Sequence, residues 1–284
     1  MRTVMYSSKK MGLYGLVIWL GLIPCGLRAQ AGGGDSLSAL RAFINISSIY
    51  QQLPMQAEIH LQKTTDFVTA GEDTAGAVIR FCFRKEAAYV QYGGLEQLVN
   101  DSLMLIVNND ARRMIVQTNN QPVAERVRQY TNLLLPDSSL HKIAQLFRAT
   151  ITEKNKDGIT VINLESRAHV YAGSLPVQTI SLQYRDNKEP IAIIQTKRSL
   201  LPIAADRYQL LVKDSAWNNR LVTAPDGKHF FVRREQVATY RYQKIDHKEE
   251  GPMPVQIADR ISRDETGKYV PVKAYREFIL TQNR

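Results

Sequence analysis

Several residues in this chain could do chemistry, and their spacing decides against each reaction in turn. The five histidines, His60, His141, His169, His229 and His247, lie far apart in the sequence. No H-x-x-x-H pair and no histidine beside a cysteine offers the spacing zinc needs, so each reads as a surface or edge histidine. A hydrolytic serine would sit in G-x-S-x-G, which does not occur. Cys82 stands between arginines in Arg80-Phe81-Cys82-Phe83-Arg84. Flanking guanidiniums favour a thiolate, but a lone thiol on a strand reads first as a small buried hydrophobe. Asp157-Gly158 and Asp226-Gly227 are turn dipeptides, because calcium loops need regularly spaced acids. Arg112-Arg113 and Arg233-Arg234 have the chemistry to touch phosphate, yet bases on an edge strand also discourage aggregation. The expectation is a protein without catalytic residues, metal or cofactor.

The first thirty-one residues carry an address instead. Lys9 and Lys10 precede an uncharged apolar run over 13–22, and Ala29-Gln30-Ala31 follows before three glycines. A basic start, a short apolar centre and an A-x-A exit make a secretory signal peptide. The run falls short of the roughly 20 residues that span a bilayer, so an uncleaved anchor is the lesser reading. Cys25, in Leu22-Ile23-Pro24-Cys25-Gly26, resembles a lipidation site, although proline replaces the usual small residue before it. Removing Arg2, Lys9, Lys10 and Arg28 with the leader lowers the formal net charge from +10 to +6. That balance suits contact with anionic lipid and does not ask for nucleic acid, since no basic cluster is interleaved with aromatics. Cys82 alone remains after cleavage, so no internal disulfide can form.

Hydrophobic periodicity supplies the elements. A helix is expected over 36–53, with Leu37, Leu40, Ile44, Ile49 and Leu53 near helical spacing and Pro54 as its stop. From Met55 the period changes to two, and short strands follow over 55–62, 77–85, 88–92, 97–100, 103–107 and 114–118. They are joined by Gly- and Asn-rich turns too short for parallel crossovers, which makes an antiparallel meander. Two helices interrupt it, one from Pro122 and one from Asp137. Strands resume over 150–153, 159–164, 180–184, 191–196 and 208–212. Beyond Trp217, strand-like runs cover 230–232, 237–242 and 269–280, and the change near Ala216 is the candidate domain boundary. The organisation expected is a leader over 1–31, a main domain over 32–216 and a β-rich extension over 217–284 that belongs either to the same sheet or to its own unit.

The order of elements and the local text resemble the LolA-like periplasmic lipoprotein carriers. The resemblance lies in Ile49-Tyr50-Gln51-Gln52-Leu53, the strand pair 77–85 and 88–92, Leu103-Met104-Leu105-Ile106-Val107-Asn108 with Arg113-Met114-Ile115-Val116, Thr179-Ile180-Ser181-Leu182-Gln183-Tyr184 and Ile191-Ala192-Ile193-Ile194. It spans about 35–201 and is one of pattern, without a diagnostic motif. It implies an α+β fold: a curved antiparallel sheet, an unclosed barrel, with the N-terminal helix and the helical insert packed on one face. Acyl chains would bind inside, and the helices would act as a lid.

Phe81, Phe83, Leu105, Val107, Ile180, Leu182 and Tyr184 are the candidate lining of such a groove. Burying an acyl chain gains about 0.8 kcal/mol per CH₂, so the lining must be broad and dry. Alternation alone serves a filled core equally well. The function expected is binding of a lipid, or of the acyl chains of a lipoprotein, by an exported protein of the periplasm or outer membrane of a Gram-negative bacterium, without a membrane span after cleavage. The alternative is a non-catalytic interaction or sensor component that binds an envelope protein through the segment after Trp217.

Overall fold

The computed structural model describes residues 34–47, 49, 52–69, 73–125, 137–152, 157–170, 175–248 and 253–283. The expected leader, with Cys25, lies outside them, as does most of the first insert helix. Helix α1 runs Gly34–Ser47 and ends earlier than the sequence pattern suggests. Six strands follow: β1 Met55–Thr65, β2 Ala75–Phe83, β3 Ala87–Tyr92, β4 Leu95–Asn100, β5 Leu103–Asn108 and β6 Arg113–Thr118. Helix α2, Asp137–Leu146, leads into β7 Phe147–Thr152, β8 Thr160–Ser166, β9 Gln178–Tyr184 and β10 Pro190–Ile203. Helix α3, Ala205–Val212, precedes β11 Leu221–Thr223 and β12 Phe230–Asp246. The chain closes with β13 Ile261–Arg263, β14 Tyr269–Pro271 and β15 Ile279–Asn283.

Thirteen of these strands form one curved, unclosed sheet in the order β15-β6-β5-β4-β3-β2-β1-β12-β10-β9-β8-β7, with β11 attached to β12. Strands β1 to β6 are the antiparallel meander their short turns demand; Gly93, at φ +56°, makes the β3–β4 turn in the left-handed region that favours glycine. The runs expected at 230–232 and 237–242 are one seventeen-residue strand. It pairs with β1 over Gln236–Asp246 and with β10 over Phe230–Arg241, and a register shift at Glu58/Ile59 marks a bulge that bends the β1–β12 pair. The sheet therefore crosses residue 216, and the late strand β12 stands at its middle. One pair, β15 with β6, is parallel.

The run 208–212 is helix α3 rather than a strand. Asp206 lies in its first turn, where a carboxylate complements the helix dipole, and the Tyr208 ring lies 4.4 Å from that of Phe230. Leu210 and Val212 stay exposed. A five-residue apolar window is too short to separate a period of two from one of 3.6. The run 269–280 likewise divides into β14, a 3₁₀ turn over Lys273–Tyr275 and β15.

Side chains alternate across a strand, so one sheet presents two apolar faces. The first carries Met55, Ala57, Ile59, Leu61, Ile79, Phe81, Phe83, Ala88, Val99 and Met104 at the meander end. At the other end it carries Phe147, Ala149, Ile162, Leu164, Ile180, Leu182 and Ile193, packed against Ala39, Leu40 and Ile46 of α1 and Leu140 of α2. Tyr240 and Tyr242 of β12 pack on both groups and join them. The second face carries Cys82, Tyr89, Leu98, Leu105, Val107, Met114 and Val116. It is covered by the C-terminal run, through Met253, Val255, Ile257, Ile261, Tyr275, Phe278 and Leu280. No helix among the described residues is long and apolar enough to cross a membrane.

Candidate functional site: the helix-covered apolar face

On the first face the pairing registers align one residue from each of six adjacent strands: Ala77, Leu61, Tyr240, Ile193, Leu182 and Ile162. Every member of this row is apolar or aromatic. At about 4.8 Å per strand the row extends about 24 Å. The hydrocarbon core of a bilayer, about 30 Å thick, holds two acyl chains end to end, so the row exceeds the length of one. Burial pushes the Tyr240 hydroxyl above the usual phenol range, with the neighbouring Tyr92 adding to the effect, and it raises Tyr242 as well. Both phenols therefore stay neutral at ordinary pH, and the row carries no charge.

The cover over this end packs Ala39, Leu40 and Ile46 of α1 and Leu140 of α2 against the sheet. The hydroxyl of Ser36 accepts a hydrogen bond from the Ala149 amide at 3.0 Å, pinning the start of α1 to the edge strand β7. Arg167 donates from Nε to the Ala144 carbonyl at 3.0 Å near the end of α2.

Five of the seven candidate lining residues share this face. Phe81 and Phe83 lie at its meander end with ring centroids 5.5 Å apart, and Ile180, Leu182 and Tyr184 lie beneath the helices. Leu105 and Val107 are on the opposite face, under the C-terminal run. The reason is parity: in β5 it is Met104 that points to the first face, so its neighbours Leu105 and Val107 point away. The sequence reading missed Tyr240, Tyr242 and Ile193. Their signal was present, since Ala238, Tyr240 and Tyr242 alternate with Thr239, Arg241 and Gln243.

The second face is closed differently. The Arg260 guanidinium reaches the Glu96 carboxylate at 2.9 Å through Nη2 and 3.2 Å through Nε, and Asn109 donates to the other Glu96 oxygen at 2.8 Å. Arg260 also lies 4.8 Å from the Tyr275 ring centroid. Burial, with the Glu96 charge behind it, pushes Tyr89 up to about 12. Cys82 is buried, with Sγ 3.6 Å from Met253 Sδ, and burial raises its pKa despite Arg84. This thiol is held as a thiol. Among the described residues no three His, Cys, Asp or Glu side chains stand close enough to hold a metal. An open surface cleft of about 770 Å³ lies elsewhere, beside β6 and β15, lined by Arg112, Lys273, Arg276, Glu277 and Phe278. It is not part of the helix-covered face.

Fold and faces together define the class: an open α+β sheet with apolar surface on both sides, each under its own cover. No family model matches the chain, and no curated protein matches it. Among solved structures it is similar to an uncharacterized conserved protein from Thermus thermophilus, at 9% identity, over 87% of this chain and 99% of that one, with a TM-score of 0.35. A likeness at that level carries no functional argument.

Proposed function

We propose that this is an exported, non-enzymatic envelope protein that binds a lipid, or the acyl chains of a lipoprotein, along its helix-covered face, in the manner of the LolA-like carriers. One observation carries the reading: an uncharged row crosses six strands of an unclosed sheet and exceeds an acyl chain in length. The cover over part of that row is two helices rather than further strands, and they meet the sheet through Ala39, Leu40, Ile46 and Leu140. Helices held by side-chain contact move as units more readily than strands held by a backbone ladder. Acyl chains replace the contacts of α1 and α2 when those helices swing away, and the unclosed edge at β7 leaves room for the motion.

Organic extraction of the purified protein followed by mass spectrometry tests the reading. A co-purified lipid, or saturable uptake of a fluorescent fatty acid, is expected; finding neither overturns it. The second reading, an interaction component, draws on Ile151 and Ile279, which are 45% and 64% exposed on the edge strands β7 and β15. A stoichiometric protein partner captured without lipid, and lost on charge substitution at Ile279, would favour it.

A further inference from the structure

The apolar row gives way to polar residues within a few steps along the strands. Two rows beyond the one through Leu182, the aligned residues are Thr65, Gln236, Lys197 and Gln178. Between them stands Gln195, opposite Ile180 on one side and Ala238 on the other. Gln178 and Gln195 are 9% and 6% exposed, yet the Nε2 of neither has a hydrogen-bond partner among the described residues. They are diagonal neighbours on adjacent strands, which sets their Cα atoms about 7–8 Å apart and their side chains within reach of one small group. Lys197 is directly opposite Gln178, on the same face as both glutamines, and adds an ammonium group at the exposed margin.

One row further, Arg234 has its Nε buried with no partner among the described residues while its Nη1 holds Asp73 at 3.1 Å. The acid at this end is already engaged: Asp73 accepts from Arg234, from Gln236 at 3.3 Å and from Thr69 at 2.7 Å. Among the described residues, buried donors are thus left over here while the Asp73 carboxylate is already engaged. A buried amide donor left without an acceptor is a standing cost that an apolar residue of like size would not carry.

Resting on the lipid reading above, we infer that Gln178, Gln195 and Lys197 receive the head of the amphiphile whose chain lies along the Leu61–Leu182 row, and that this head is an acceptor-only anion, a carboxylate or a phosphate ester. An ionised carboxylate or phosphate offers oxygens and no donors, so it matches this set and clashes with none of it. Charge-assisted bonds from Lys197 strengthen the contact, and a low local dielectric strengthens the two amide bonds. An ammonium or sugar head would bring donors where donors already crowd.

Two probes separate head from chain: cis-parinaric acid, which has a carboxylate, and diphenylhexatriene, which has no head. Gln178→Leu/Gln195→Leu is expected to weaken parinaric acid about tenfold, the loss of one or two buried hydrogen bonds, and to leave diphenylhexatriene unchanged. The same variant is expected to melt at a higher temperature, because the orphaned amides are gone. Lys197→Gln, an exposed change that leaves the core intact, is expected to weaken parinaric acid at low salt and not diphenylhexatriene; it decides the matter should the double variant fail to fold. Unchanged parinaric acid binding in these variants overturns the head site and leaves the groove standing. If neither probe binds the unaltered protein, the groove reading falls and this inference with it. Displacement of parinaric acid by inorganic phosphate alone would make this a bare-anion site and overturn the amphiphile.

Discussion

Over β7 to β10 the sheet is covered by α1 and α2, whereas over β2 to β6 its other side is covered by the run 253–280. Both covers bury aliphatic and aromatic surface, and their fastenings differ. The C-terminal cover is stitched by a parallel strand ladder to β6 and by the buried Arg260–Glu96 pair, whose side chains are 15% and 6% exposed. The helical cover packs apolar side chains on the sheet, with hydrogen bonds from the Ala149 amide to Ser36 and from Arg167 to the Ala144 carbonyl. Directional, desolvated fastenings fix one arrangement, while apolar contact alone tolerates sliding and exchange for another apolar partner. The helical cover, and not the C-terminal one, is accordingly the side that opens in the lipid reading proposed above.

The strongest way to break this comparison is Arg260→Ala. Among the described residues it leaves the buried Glu96 carboxylate with Asn109 as its donor, and the expected loss of global stability is about 3–5 kcal/mol. Chemical denaturation measures it, and a loss below about 1 kcal/mol would mean the C-terminal cover is not tied to the sheet as described. Leu40→Ala, at a fully buried position in α1, removes contact from the other cover at an expected cost of about 3 kcal/mol. Its sharper readout is hydrogen exchange: amides of α1 and α2 are expected to exchange faster while those of β5 and β6 do not. Uniform acceleration would show the two covers to be one cooperative unit.

A smaller effect sharpens the comparison by pH. Tyr89 belongs to the C-terminal-covered face, and its folded pKa of about 12 lies above the ordinary phenol value of 10. A raised folded pKa means stability that is fully present below pH 10 and lost as pH climbs from 10 towards 12. Denaturation midpoints across that window are expected to fall less steeply in Tyr89→Phe. Identical pH dependence in the two proteins would remove Tyr89 from the account.

Much of the fold is legible in the sequence. The meander from Met55 to Thr118 follows from alternation and turn residues, and the lone Cys82 is the buried hydrophobe its position suggests. Three features escaped. Tyr208 to Val212 looked extended because five residues do not resolve the period, and the ring of Phe230 that anchors the helix lies far along the chain. The groove that the resemblance implies places Leu105 and Val107 with Phe81 and Phe83, and parity within β5 sends them to the other side. The orphaned amides of Gln178 and Gln195 have no sequence signal, since glutamine on a strand ordinarily faces water.

Sequence by itself determined which side chains share a side within each strand, because successive Cβ atoms must point to opposite faces of a pleated chain. Only the tertiary structure decided which strands became neighbours. It set β12 between β1 and β10, across more than a hundred residues of chain, and so joined two apolar patches into one row. Local alternation cannot encode that choice. It is made by which assembly buries the apolar faces of distant strands together, and that is a property of the whole packed chain.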